Sequence, residues 1–372
     1  MKNIYQEVLS RVHSISFETL WTQFKPYEFA LYDQNRVYFQ NGDSPVTEAF
    51  MGNTTILYEG RQIAIWHISE TDLLDLDRLT GNLIHEMYHA HQTVCGETRY
   101  FNDLVGLTYP MVAKNIAMKH QEFSYLIQAH ATSDLQEKRS LFRKFVTLRE
   151  LRYAELGDIC NYEKAIETIE GVAEYIGLSV MKTLNQTSYT KRIIEVIKRL
   201  SDLNEALLDT RRICYDSGAL ICLVAEDLNL SFKEALVPNL KYVYDSIKDN
   251  FITDTIMDDP VLTEDVKEQS TLEPSIETIT TIEAMIENYN MKLKTWIESI
   301  VLDPMVEVVQ GDFSYCGYDP MNFKRYGNYV YHKYFLGVNL ENGPQFLMGT
   351  YVTESETDDL MHFTRYYKEV KK

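Results

Sequence analysis

The apolar residues of this chain change their period twice, and any fold must respect both changes. Up to residue 68, aromatic and β-branched residues come in short runs, 29–32, 37–39, 54–58 and 63–68, broken by Asn35, Asn41-Gly42 and Glu59-Gly60. Runs of this kind between turn residues read as strands of a small antiparallel sheet, with Glu59-Gly60 joining a hairpin whose second strand is 61–68. Ahead of them, residues 3–24 carry a helical apolar side from Leu9, Val12, Ile15, Phe17 and Leu20, closed by Pro26. From Asp72 helical spacing takes over: 73–94, stopped by Gly96, then 101–128, 135–159, 162–184, 189–209 and 212–228, and a further helix at 274–301. After Pro304 strand-like runs return at 306–309, 329–338 and 345–353, separated by Gly311, Gly317, Gly327 and Asn342-Gly343. Strands and helices in separate runs imply an α+β fold, mainly helical, with a small N-terminal antiparallel sheet and a small β-rich C-terminal region. The expected borders are 1–251 for the main domain, 252–303 for an acidic linker and helix, and 304–372 for the β-rich region. The linker is read from the acidic, two-proline stretch 252–274.

With 372 residues, 45% of them hydrophobic, the chain can bury a sizeable core and is not of disordered composition. A net charge of -19 argues against a nucleic-acid partner, because phosphate binding needs clustered Lys and Arg. Its main effect is solubility, with attraction of basic substrates a secondary one. The five cysteines, Cys95, Cys160, Cys214, Cys222 and Cys316, are odd in number and lack C-x-x-C spacing, so reduced, mostly buried thiols are expected. The first residues have no apolar signal-peptide core, and no run approaches the roughly 20 apolar residues of a membrane helix. A cytoplasmic protein with no membrane partner is the expectation.

The chemistry concentrates in LIHEMYHAHQ, inside the helix 73–94. His85 and His89, four residues apart, leave one helix face about 40° apart, so both imidazoles can reach one tetrahedral zinc. Glu86 is rotated off that axis and can hold the attacking water and take its proton. Three fixed residues match by chance in about one chain per hundred of this length, so the surroundings matter. Here the motif lies mid-helix among Leu83, Ile84, Met87 and Ala90. The plain alternative is a helix with two half-buried histidines. His91 lies on another face and has a surface or packing role.

A catalytic zinc needs a third protein ligand and an open position. The metzincin position for a third His, six residues after the second, is Cys95. The helix 162–184 offers Glu163, Glu167, Glu170 and Glu174, spaced by four, three and four, with Ile166, Ile169, Val172 and Ile176 opposite. An acidic stripe opposite an apolar one is also what a surface helix shows. Gly171 and Ala173 favour Glu170, since Gly costs about 1 kcal/mol inside a helix and small residues suit close packing against the motif helix.

At His85-Glu86-Met87-Tyr88-His89 and Glu170-Gly171-Val172-Ala173-Glu174-Tyr175 the chain resembles the gluzincins, zinc peptidases with two His and one Glu as ligands. The second stretch is similar to the E-G-x-A-x-Y segment of aminopeptidase N-like members and implies Glu170 as third ligand. Glu174 stands where thermolysin-like members place an acid that holds a zinc-bound His. Tyr215-Asp216-Ser217-Gly218 resembles the Y-x-K-G segment that brings a transition-state tyrosine, with Ser217 in place of Lys. The strand 61–68 is placed like the gluzincin edge strand that binds extended substrate. The resemblance covers residues 54–228 and implies one zinc per chain, Glu86 and Tyr215 as catalytic residues, and a peptide or protein substrate. His89 and Glu170 are 81 positions apart, more than in the best-known members, and no G-x-M-E-N element supports aminopeptidase specificity. A different class of function, a non-catalytic binding or scaffold protein with a structural or coincidental metal site, is the alternative. Substrate identity and oligomeric state are not legible in the sequence.

Overall fold

Helix and strand segregate along the chain in the computed structural model, which describes residues 1–234, 241–258, 272–357 and 359–369. Two helices, α1 (Lys2–His13) and α2 (Phe17–Leu20), precede a five-stranded sheet of β1 (Phe29–Tyr32), β2 (Arg36–Phe39), β3 (Gly42–Pro45), β4 (Thr54–Tyr58) and β5 (Arg61–His67). A run of helices follows: α3 (Leu76–Val94), α4 (Asp103–Gly106), α5 (Ala113–Ala131), α6 (Leu135–Leu156), α7 (Cys160–Ile166), α8 (Val172–Leu184), α9 (Gln186–Ser201), α10 (Thr210–Asp227) and α11 (Val243–Asp258). Helix α12 (Ile276–Val301) leads into β6 (Glu307–Tyr318), β7 (Phe323–Tyr326), β8 (Tyr329–His332), β9 (Phe335–Leu340), β10 (Gly343–Met348), β11 (Tyr351–Glu354) and β12 (His362–Lys368). The fold is α+β, as the two changes of period imply.

Two compact units form. The first comprises Met1–Phe101, Met118–Asp202 and Ile213–Glu273, the second Asn102–Ala117, Leu203–Arg212 and Pro274–Lys372. In the first, the sheet order is β3-β2-β1-β5-β4. The β4–β5 hairpin turns at Glu59 and Gly60, whose φ values of 48° and 76° are both left-handed, as the twist-matched two-residue turn requires. The sheet is not wholly antiparallel: β1 and β5 pair in parallel, Phe29 with Ala64 through Tyr32 with His67. This corrects the placement of β5, which has neighbours on both sides; the free edge on that side belongs to β4. Helix α3 packs on β4 and β5 and against α8.

The second unit is built on a seven-stranded antiparallel sheet of order β10-β9-β6-β12-β11-β8-β7. Phe313, Tyr315, Leu336, Val338 and Phe363 form one of its cores, and α12 adds Leu293, Ile297 and Ile300 against Val352 and Tyr367.

Some borders differ from expectation for local reasons. The single helix expected over 101–128 is interrupted around Pro110, which lacks an N–H and disfavours helix in the residue before it. Helix α11, anchored by Val243, Tyr244, Ile247 and Phe251, runs on to Asp258, so the acidic linker does not begin at 252. The rest of that acidic stretch, 259–271, lies outside the described residues. The five cysteines are free thiols; Cys160, Cys214 and Cys222 are buried. No described helix is long and apolar enough to cross a membrane.

Candidate metal centre

Helix α3 starts at Leu76 because the Asp75 side chain caps the Arg78 N–H, and it ends where Gly96 takes a φ of 75° and donates to Thr93. Between those stops Leu79, Leu83, Ile84, Met87 and Tyr88 are buried, which fixes the rotation of the helix and turns His85 and His89 to a common side. Helix α8 crosses α3 at a contact only glycine permits. A Cβ on Gly81 would stand 2.8 Å from the Gly177 carbonyl oxygen, and one on Gly177 would stand 3.1 Å from that of Gly81. His85 is one turn after Gly81, and Glu174 nearly one turn before Gly177, so this crossing brings the motif and the glutamate helix together.

Three donor atoms converge there. His89 Nε2 lies 3.1 Å from Glu170 Oε2, His85 Nε2 lies 3.8 Å from the same oxygen, and the two Nε2 atoms are 3.1 Å apart. His85, His89 and Glu170 thus form a largely buried group that can hold a metal ion. Of the four glutamates on the stripe, the fold brings Glu170 into the group and sets Glu174 behind it, with Oε2 3.6 Å from His85 Nδ1. Glu174 Oε1 accepts from Arg192 Nε and Nη2, Arg192 also donates to Glu195, and Glu195 is held by both terminal nitrogens of Arg78 back on α3. This loop of charges through α8, α9 and α3 holds the Glu174 carboxylate on the Nδ1 side of His85.

Glu163 and Glu167 do not share that face. Glu163 pairs with Arg152 and Lys119, and Glu167 with Arg149 and Ser217, all buried. The stripe divides because the helix widens into a π turn over Glu167–Gly171. Single π turns inside α-helices are frequent at functional sites. Gly171 meets α10 rather than the motif helix, since a Cβ there would stand 2.7 Å from Gly218 Cα. That second glycine crossing sets α10 beside the group, and the Tyr215 ring stacks along His85 with centroids 6.4 Å apart.

Gln92, Arg192, Gly81 and Gly177 belong to no motif in the sequence. For Gln92 the signal was its place three residues after His89, on the same helix face. His91 is a packing residue, buried among Phe24, Tyr88 and Tyr27.

The charges set the protonation of the group. Burial raises Glu86, and Glu170 and Glu174 add to this against the pull of His85 and His89. Burial alone would lower His89, but Glu170 overrides it and the ring is pushed up to about 9. In the metal-free protein His89 is therefore protonated at pH 7, and a metal must displace that proton. Metal uptake at pH 7 is expected to release about one proton from His89, and affinity to climb with pH until about 9. Calorimetry in buffers of different ionisation enthalpy measures the release; uptake with no proton exchange would show that His89 is already neutral.

Compared with protein-family models, curated proteins and solved structures, the chain gives no match in any of the three.

Proposed function

We propose that this chain is a zinc-dependent hydrolase of peptide bonds, of the gluzincin kind, with His85, His89 and Glu170 holding one zinc per chain. The observation that carries the proposal is the spacing of the donor atoms. Donors at about 2.0–2.1 Å from a tetrahedral zinc stand about 3.3 Å from each other. The separations of 3.1, 3.1 and 3.8 Å bracket that value. Two imidazoles and one carboxylate make a catalytic set, whereas structural zinc sites close with four protein ligands. Glu174 faces the opposite nitrogen of His85 and does not close the set.

When bound, zinc supplies Lewis acidity, which brings the pKa of water towards about 7 and polarises a carbonyl. Glu86 takes the proton of the attacking water and passes it to the leaving amine; its raised basicity supports that role. Tyr215 is assigned the hydrogen bond to the developing oxyanion, supported by its ring lying along His85. The peptide as substrate class rests on the resemblance of 170–175 and 215–218.

Elemental analysis of the purified chain is expected to find about one zinc, and Glu170→Ala to lose it while keeping its helical content. A wild-type chain that neither contains zinc nor takes it up on titration would end this reading. A peptide-library digest then tests the substrate class.

A further inference from the structure

A ligand carried on a widened turn is only as well placed as the turn itself, and one side chain links that turn to the motif helix. Gln92 Nε2 donates to the Ile169 carbonyl at 3.0 Å, inside the π turn and one residue before Glu170. The other end of the same amide, Oε1, lies 2.7 Å from His89 Nδ1. Gln92 is 1% exposed, so both contacts are sheltered from solvent.

Hydrogen-bond chemistry fixes the direction of this chain of contacts. A backbone carbonyl only accepts, so the amide NH₂ must face Ile169. Its oxygen then faces His89, and an oxygen there requires the proton on Nδ1. Once a metal displaces the second proton of the ring, the lone pair is therefore on Nε2, on the side of Glu170 Oε2, 3.1 Å away. One amide therefore sets the tautomer and ring angle of the second histidine and, through the Ile169 backbone, the seat of the third ligand.

We infer that Gln92 is a positioning residue for the metal, acting on two of its three ligands at once. The inference rests on the proposed triad of His85, His89 and Glu170. Gln92→Met keeps the length and bulk of the side chain and removes both contacts. Gln92→Glu keeps an acceptor for His89 and puts a carboxylate oxygen where Ile169 needs a donor. Zinc dissociation constants of the full chain are measured by competition with a chromophoric chelator, beside circular dichroism and melting of the metal-free protein. Gln92→Met is expected to bind zinc about 10–100-fold more weakly, with Gln92→Glu between it and the wild type. A purely packing role would lower the melting temperature of the metal-free chain and leave the affinity of the folded chain unchanged. Wild-type zinc affinity, within about twofold, in either folded variant overturns the inference. Should Gln92→Met not fold, Gln92→Glu decides alone. If the wild type itself takes up no zinc, the triad has failed rather than the clamp.

Discussion

Glu86→Gln is expected to keep its zinc and its fold and to lose about 10²–10⁴-fold in turnover, the range that a positioned general base contributes. The amide has the shape of the carboxylate, so packing around it is preserved. It cannot accept a proton at neutral pH, so attack by water loses its base. The pH profile adds a second reading of the same residue. Glu86 must be deprotonated to act, and burial moves its titration above the ordinary carboxylate value of 4.5. The acid limb of kcat/KM that reports this base in the wild type should accordingly disappear in Glu86→Gln. Stopped assays on peptides recovered from a library digest, with zinc content measured on the same samples, provide the comparison. Near-normal turnover in a zinc-loaded Glu86→Gln protein would remove Glu86 from the mechanism. A chain that binds zinc but cleaves nothing, with or without Glu86, would instead favour the scaffold alternative.

The second large effect lies away from the metal. Arg152 is 1% exposed and bonds two carboxylates: Glu122, and Glu163 at 2.9 and 2.7 Å. Arg149 joins Glu122 at 3.0 Å to Glu167 at 2.9 Å, and Lys119 reaches Glu163 at 2.8 Å. Lys119, Arg149 and Arg152 thus balance Glu122, Glu163 and Glu167 in a buried array that ties α5 and α6 to α7 and the π turn. Arg152→Ala leaves two buried carboxylates short of a partner. It should destabilise the protein by about 3–5 kcal/mol, as removal of one member of a buried pair does. Burial alone would raise Glu163, but Arg152 and then Lys119 hold it well below 4.5. Its contribution is present above pH 4.5 and is lost as pH falls through the depressed value. Without Arg152 the Glu163 carboxyl protonates at higher pH, which relieves part of the damage. The stability gap between wild type and variant should therefore be widest near neutrality and narrow on acidification. Urea denaturation across that pH range tests both statements, and a gap under about 1 kcal/mol at pH 7 would mean that the array is replaceable.

These two residues differ in how far the sequence announces them. Glu86 is legible because the motif helix obeys a local rule: the three side chains of H-E-x-x-H owe their mutual placement to helix geometry alone. The same holds for the β4–β5 turn, where the two positive φ values follow from Glu59-Gly60 and its flanking runs. Arg152 sits in α6, which carries charges of both signs along its length. What buries it are Glu122 and Glu163, 30 and 11 residues away, and no periodicity within α6 reports on them.

The acidic stripe of α7 and α8 shows where local rules end. Spacings of four, three and four put Glu163, Glu167, Glu170 and Glu174 on one face of an ideal helix. The π turn over Glu167–Gly171 breaks that phase, and a change in hydrogen-bond step leaves no mark in an apolar pattern. Two of the four therefore enter a buried ionic array, while Glu170 joins the two histidines and Glu174 stands behind one of them. The sequence by itself determined the α+β layout, the paired histidines with Glu86 between them, and the stripe of four glutamates that includes Glu170, because each follows from spacing along a single element. The tertiary structure alone decided that Glu170 sits 3.1 Å from His89 and that Gln92 joins His89 to the turn carrying Glu170. It also decided that β5 is interior to its sheet. Each of these depends on which backbones approach closely, at Gly81 with Gly177, at Gly171 with Gly218, and at β1 with β5. Such approaches join residues far apart in the chain, and the spacing within any one element does not encode them.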